Sequence, residues 1–283
     1  MSLPKQCLYT NKINSSYARN FQSAIAPQNG SEYNLGETII INIPCSPNLV
    51  MSAADTILKF NLNFANGATA NARYRLNRSG AYACIQRMRI FLGSTLLSDI
   101  DSYGNLMDML ISAQQSTDSV GGKLNIMAGC DVDFAAAGVD GGAANTPITQ
   151  SYAIPFVSIL SWTNNYVPLF AMSGPLRIEL QLVSSLKQII HTTAAYALHP
   201  TLKIVDNIEL VANFMEISDR GMEVIRQSVG NAPVQWVCRD YRNFQYTGVI
   251  KANSTTILSI PIPAKYNSLK SLFWSFRKKC HRS

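Results

Sequence analysis

An all-β sandwich interrupted by one inserted helix is the fold this sequence predicts. Three observations carry it. Short apolar stretches alternate with period two, Gly, Pro and Asn-Gly breaks separate them, and one long stretch repeats at helical spacing. Helices do not alternate with strands along the chain, which excludes a doubly wound α/β fold.

Residues 1–35 are polar, rich in Asn, Ser and Gln, and weakly patterned, so they are expected to form an extended N-terminal arm. From Gly36 the pattern changes. TIIINI, Thr38 to Ile43, is β-branched and closes on Pro44 and Pro47, a strand with a hard stop. In ILKFNLNF, Leu58, Phe60, Leu62 and Phe64 alternate with polar residues, a half-buried strand ended by Asn66-Gly67. A third strand carries Ile85, Met88, Ile90 and Leu92 and breaks at Gly93-Ser94.

The inserted helix is expected over Asp99 to Gln114, because Ile100, Tyr103, Leu106, Met107, Leu110 and Ile111 recur on one face. Asp99 and Asp101 then sit where acids complement a helix dipole. Residues 116–146 contain Gly121-Gly122 and AAAGVDGGAAN and are expected to form a Gly/Ala-rich surface loop. VGGKLN lacks the Ser or Thr of a phosphate loop. Further strands are expected at Gln150–Pro155, Val157–Leu160, Leu176–Leu182, Leu202–Val205 and Ile208–Ile217. A short helix follows near 219–228, with Ser218 or Asp219 as its cap. Beyond it, 236–249 and 255–262 alternate again.

About eight strands with turns between them match a jelly-roll β-sandwich over residues 36–218, followed over 219–283 by the short helix and the start of a second, incomplete β domain.

Composition points to assembly. Hydrophobic residues make up 47% of the 283 and charged residues only 14%, well below the roughly 25% of ordinary globular chains. Interface cores are depleted in charge, so extensive subunit contacts explain this economy. From Arg220 onward, eleven Lys and Arg face two acids, net +9, whereas the preceding part carries net −2. The basic part is therefore a place for non-specific contact with a genome, or one half of a domain whose acids lie elsewhere.

Six scattered cysteines show neither C-x-x-C nor Cys/His spacing, which argues against a disulfide framework and a zinc site. His191, His199 and His281 have no recognised nucleophile partner, and G-x-S-x-G and H-E-x-x-H are absent. Asp131 and Asp133 share a strand face, yet two carboxylates fall short of a calcium site. No catalytic, cofactor-binding or metal-binding residue is expected. MSLPKQCLYT has no signal-peptide core, and no run reaches the roughly 18 apolar residues of a membrane span.

Four places carry a resemblance to a known family: GETIIINIPCSPN with DTILKFNL, RMRIFLGSTLLSDIDSY, PLRIELQL, and KIVDNIELVANFMEIS. Across about Ala26 to Phe276 the chain resembles the double jelly-roll major capsid proteins of virophages and polinton-like eukaryotic DNA viruses. The resemblance implies two jelly rolls per subunit, a trimeric capsomer, an icosahedral shell, contacts with other capsid proteins and a place in the virion. This chain has room for one jelly roll and the beginning of another, and FRKKCHRS follows an apolar run abruptly. A truncated or frameshifted form, or a second half supplied by another chain, is the expectation. Two other readings remain: a single jelly-roll penton subunit forming pentamers, and a non-viral ligand-binding β-sandwich using a patch at Trp162 to Tyr166.

Overall fold

The computed structural model describes residues 18–65, 73–130, 139–140, 147–160, 166–192, 199–230, 232–246, 259–263 and 268–274. In chain order the strands are β1 (Ala18–Ile25), β2 (Glu32–Tyr33), β3 (Thr38–Ile43), β4 (Leu49–Ala65), β5 (Arg73–Leu76), β6 (Ile85–Leu92) and β7 (Thr95–Asp101). After the helix α1 (Tyr103–Gln114) and the short turns α2 (Thr117–Ser119) and α3 (Asn125–Ala128) come β8 (Val139–Asp140) and β9 (Pro147–Pro155). Then follow β10 (Leu176–Leu182), β11 (Ile190–Thr192), β12 (His199–Ile217) and the helix α4 (Asp219–Val229).

Two antiparallel sheets make the sandwich. The first runs β1-β12-β4-β9 with β2 also beside β12, and the second runs β3-β10-β6-β7. A small sheet, β11-β5-β8, stands apart from both. Period-two alternation puts Ile39, Ile41 and Ile43 of β3 against the core, together with Leu176, Ile178, Leu180 and Leu182 of β10. The first sheet answers with Leu58, Phe60, Leu62 and Phe64 of β4 and Leu210, Ala212 and Phe214 of β12. These residues join one continuous core. Burying each Ile, Leu or Phe contributes about 1.5–3 kcal/mol.

The β6–β7 hairpin turns on Gly93-Ser94, with Gly93 at φ +56°, the positive φ that hairpin twist favours. This pairing corrects the expected start of the helix. Residues 95–101 are strand, because Ser98 and Ile100 alternate into the core, and Ser102, at φ +56°, breaks the chain into α1. Asp99 and Asp101 accordingly sit on β7 and not on a helix. In α1, Tyr103, Met107, Leu110 and Ile111 are buried on one face.

The expected loop over 116–146 begins as helix. Ser116 Oγ accepts from the Ser119 amide at 3.3 Å, and helical turns continue to Ala128. Val120, Ala128 and Cys130 are buried, a spacing that Gly121-Gly122 obscures in the sequence. Residues 131–138 and 141–146 lie outside the described residues. Gly80 explains how tightly this turn sits: a Cβ there would come within 2.1 Å of the Ala128 carbonyl oxygen.

Three other expectations change. Val157–Leu160 is a buried turn, tied by the Val157 amide donating to Tyr103 Oη at 3.1 Å. Leu202–Val205 and Ile208–Ile217 are one strand, bent by bulges and by Asn207 at φ +50°. The latter half of the expected arm is an edge strand: β1 pairs with β12 from Ala18↔Ile217 to Ile25↔Leu210. Ser218 caps α4 as expected, its Oγ accepting from the Gly221 amide at 3.3 Å.

Candidate assembly surface

The two outer faces differ in chemistry. On the β3-β10-β6-β7 sheet, Arg87, Arg89 and Phe91 alternate outward from β6 beside Arg177 and Glu179 of β10. Arg87 donates to both carboxylate oxygens of Asp99, at 2.8 and 2.6 Å. These hydrogen bonds hold the Asp99 carboxyl below its ordinary pKa, against a smaller opposing effect of burial. Arg89 reaches Glu179 at 3.0 Å. The Arg177 Nε lies 3.2 Å from Glu179 without a hydrogen-bonding alignment, so this is a charge contact, and its guanidinium covers the Phe91 ring at 4.5 Å.

On the other outer face, amides and hydroxyls gather around Asp206. Asp206 of β12 accepts from Asn61 at 2.9 Å and from Asn63 at 2.7 Å, both on β4. Those amides in turn accept from Ser151 and Thr149 of β9, each at 2.7 Å. A hydrogen-bond ladder therefore crosses three strands.

Sheet edges decide where another chain can add, because an open edge presents unpaired amides and carbonyls. The β3 edge is occupied: the Gln28 amide donates to the Ile40 carbonyl at 2.8 Å, and Asn29 bonds Thr38 and Ile40. Beside β7 runs a strap, residues 236–246. Asp240 accepts from the buried Ser98 hydroxyl at 2.6 Å, and Gln245 donates to Ser102 at 2.9 Å. Trp236, Cys238 and Tyr241 of the strap pack against the core. The expected strand over 236–249 is thus a side-chain clasp in its described part, since β7 is met through side chains and not through a ladder. The described residues 259–262 of the expected strand 255–262 form no strand either. β9 starts and ends on proline. β1 alone offers eight residues without proline on an outer edge that has no ladder among the described residues.

The region beyond α4 is unusual in its exposure. Nine of the fourteen exposed large hydrophobic residues among the described residues lie there, among them Val237 (83%), Leu269 (60%), Leu272 (54%) and Trp274 (74%). Monomer surfaces rarely gather so many. Sequence reasoning missed the open β1 edge, because the weakly patterned ARNFQSAI carries no strand signal of its own.

Among the described residues no three His, Cys, Asp or Glu side chains gather as a metal site. His191 and His199 lie on β11 and β12, in different sheets, and His281, Asp131 and Asp133 lie outside the described residues. Tyr166 is exposed beside a shallow groove lined by Asn20, Asn213 and Asp55, while Trp162–Asn165 lie outside the described residues. Burial raises the thiols of Cys84 and Cys130 to about 12, leaving neither as a nucleophile at neutral pH. No helix of the described residues is long and apolar enough to cross a membrane.

Solved structures share this arrangement. A chain of the PBCV-1 virus capsid superimposes with a TM-score of 0.52 at 10% identity, over 77% of this chain and 46% of that one. The fold is the virus-capsid jelly roll. A chain from the 3.5 Å structure of the Sputnik virophage gives a TM-score of 0.50 at 10% identity, covering 83% of this chain and 54% of its own. PBCV-1 VP54, fitted into a reconstruction of virophage Sputnik, gives 0.50 at 13% identity over 78% and 47%. The chain therefore spans about half the length of the jelly-roll structures it matches. No protein-family model and no curated protein matches the sequence.

Proposed function

We propose that the chain is a virus coat subunit whose work is self-association. The observation that carries this reading is the jelly roll itself, shared over most of the described sandwich with capsid chains. Low charge content and the concentration of exposed apolar residues beyond α4 agree with a protein that buries surface against neighbours. On this reading the subunit works as a major capsid protein of the virion, and three copies make a capsomer. Residues 36–218 serve as the jelly roll, with β1 added at its edge, and 219–283 as the opening portion of a second barrel. The basic residues of that last portion touch the genome non-specifically.

Electron microscopy of the purified chain over a range of concentration and salt tests the proposal. Three-fold capsomers, hexagonal sheets or closed shells are the expected products. Five-fold rings would assign the chain to a penton instead. A uniform monomer at every concentration would overturn the coat reading.

A further inference from the structure

We propose that the groove across β1, β12 and the start of β4 binds a neutral saccharide. The inference goes beyond the coat reading and does not depend on it, because it concerns one face of a single chain.

The first sheet sets polar side chains in a row. Register places Gln22 of β1 opposite Asn213 of β12, and Asn213 opposite Ser52 of β4. Neighbouring strands lie about 4.8 Å apart, so two amides and a hydroxyl extend about 10 Å across the sheet. Asn20 repeats the parity of Gln22 on β1 and adds a third amide to the groove.

Asp55 reaches this row by way of a bulge. Ser52 pairs with Asn213 and Ile57 with Val211, so residues 53–56 of β4 face Ala212 alone. Thr56 Oγ1 donates to the Ser52 carbonyl at 3.1 Å and closes the bulge. Ser52 Oγ in turn donates to Asp55 Oδ2 at 2.6 Å, which fixes the carboxylate at the end of the row. Bulges concentrate where a side chain has to be re-aimed, beside binding sites among other places.

Tyr166 supplies an apolar surface. Its neighbour Val167 exchanges main-chain hydrogen bonds with Met51 at 3.1 and 2.8 Å, which seats the Tyr166 side chain, 51% exposed, at the same groove. The groove measures about 340 Å³, at the small end of ligand sites.

This set of groups selects its ligand. Amides and hydroxyls both donate and accept, which matches the adjacent hydroxyls of a sugar ring. A carboxylate only accepts, and its charge-assisted bond to a hydroxyl is the strong one. The tyrosine ring face is electron-rich and suits the C–H face of a pyranose. An aliphatic ligand would strip water from the amides and give nothing back. Asp55 is the one charged residue among the described residues that line the groove, so an anionic sugar is repelled.

An array of neutral oligosaccharides, printed beside their sialylated and sulfated counterparts and probed with the full chain, tests this. Saturation-transfer NMR on the best neutral sugar then gives its contacts and Kd. Neutral sugars are expected to bind more tightly than their anionic counterparts, with strongest transfer to the C–H protons of one ring face. Tyr166→Ala and Asp55→Asn change exposed side chains and should melt like the parent. Each should raise Kd at least about tenfold, the equivalent of about 1.4 kcal/mol. Asp55→Asn should also narrow the preference for neutral over sialylated sugar, an effect that loss of structure would not produce. Val224→Ser, on α4 away from the groove, should bind like the parent. Silence from every neutral sugar would overturn the inference, as would a preference for anionic ones. Binding unchanged in both groove variants would overturn it too, by placing the sugar elsewhere. None of these results touches the coat reading, which assembly alone decides.

Discussion

Arg87 and Asp99 meet on a diagonal. The ladder places Arg87 opposite Asp101 and Arg89 opposite Asp99, yet the Arg87 guanidinium reaches past its neighbour and grips Asp99 with two hydrogen bonds. Asp101 is left to the strap, where it accepts from Gln245 at 3.4 Å. The diagonal thus frees one carboxylate of the hairpin to engage the region that follows α4.

That pair sets a pH dependence. The folded carboxyl of Asp99 titrates below its unfolded value of about 3.9, so its stabilisation is complete above that value and disappears as pH falls through the lowered folded value. Arg87 is 39% exposed, and solvent screening limits the pair to about 0.5–1 kcal/mol. Urea titrations should show Asp99→Asn weakened by that amount at pH 7, with the deficit shrinking as pH falls below about 3.9. A deficit that does not change with pH would assign the loss to packing.

Gly80→Ala should be severe. The new methyl would meet the Ala128 carbonyl at 2.1 Å, in a backbone conformation with φ +59°. About 2–4 kcal/mol is expected from the enforced shift and the strain. Gly36→Ala, at φ +80° with open space around it, carries strain alone and should cost about 1–2 kcal/mol. Thermal melts of the two variants side by side separate the contributions, and equal losses would contradict the close approach.

Ile178→Ala removes a fully buried side chain from β10, between β3 and β6. About 2–5 kcal/mol should be lost in denaturant unfolding, with m unchanged. A loss below about 1 kcal/mol would mean that the two sheets do not close over this position.

Thiol labelling should be graded. Cys84 and Cys130 are buried, and burial holds both near 12, so a maleimide at pH 7.5 should reach them only after unfolding. Cys45 and Cys238 are half-buried, with thiols raised more modestly, and should label slowly in the native protein. Peptide mapping after timed labelling reads the order. Native labelling of Cys84 would mean that β6 opens at its start.

Much of the sandwich is legible in the sequence because its strands alternate strictly. TIIINI and LRIELQL reveal their faces residue by residue, and the structure buries the residues their alternation selects. Two kinds of information escape such a reading. One is competition between periods: Ile100 fits the helical stripe of α1 and the inward face of β7 equally well, and the long-range pairing with Met88 decides it. The other is context-dependent order. Residues 117–128 look like loop because two glycines interrupt them, but burial of Val120 and Ala128 holds the turns. The edge position of β1 is not legible in its own sequence, because it depends on which strands the other described residues place beside it.

The middle of the first sheet has a cost during synthesis. Leu62 of β4 pairs with Val205 of β12, 143 positions later. At about 5–20 residues per second, β4 leaves the ribosome about 7–30 s before β12 exists. β9 can join the other edge of β4 earlier, but the edge that β12 covers stays open throughout that interval, and contacts this distant in the chain also form slowly. A cell making this protein in quantity must keep nascent chains apart until β12 arrives, so the yield of folded subunits should depend on holdase chaperones and fall when translation is crowded.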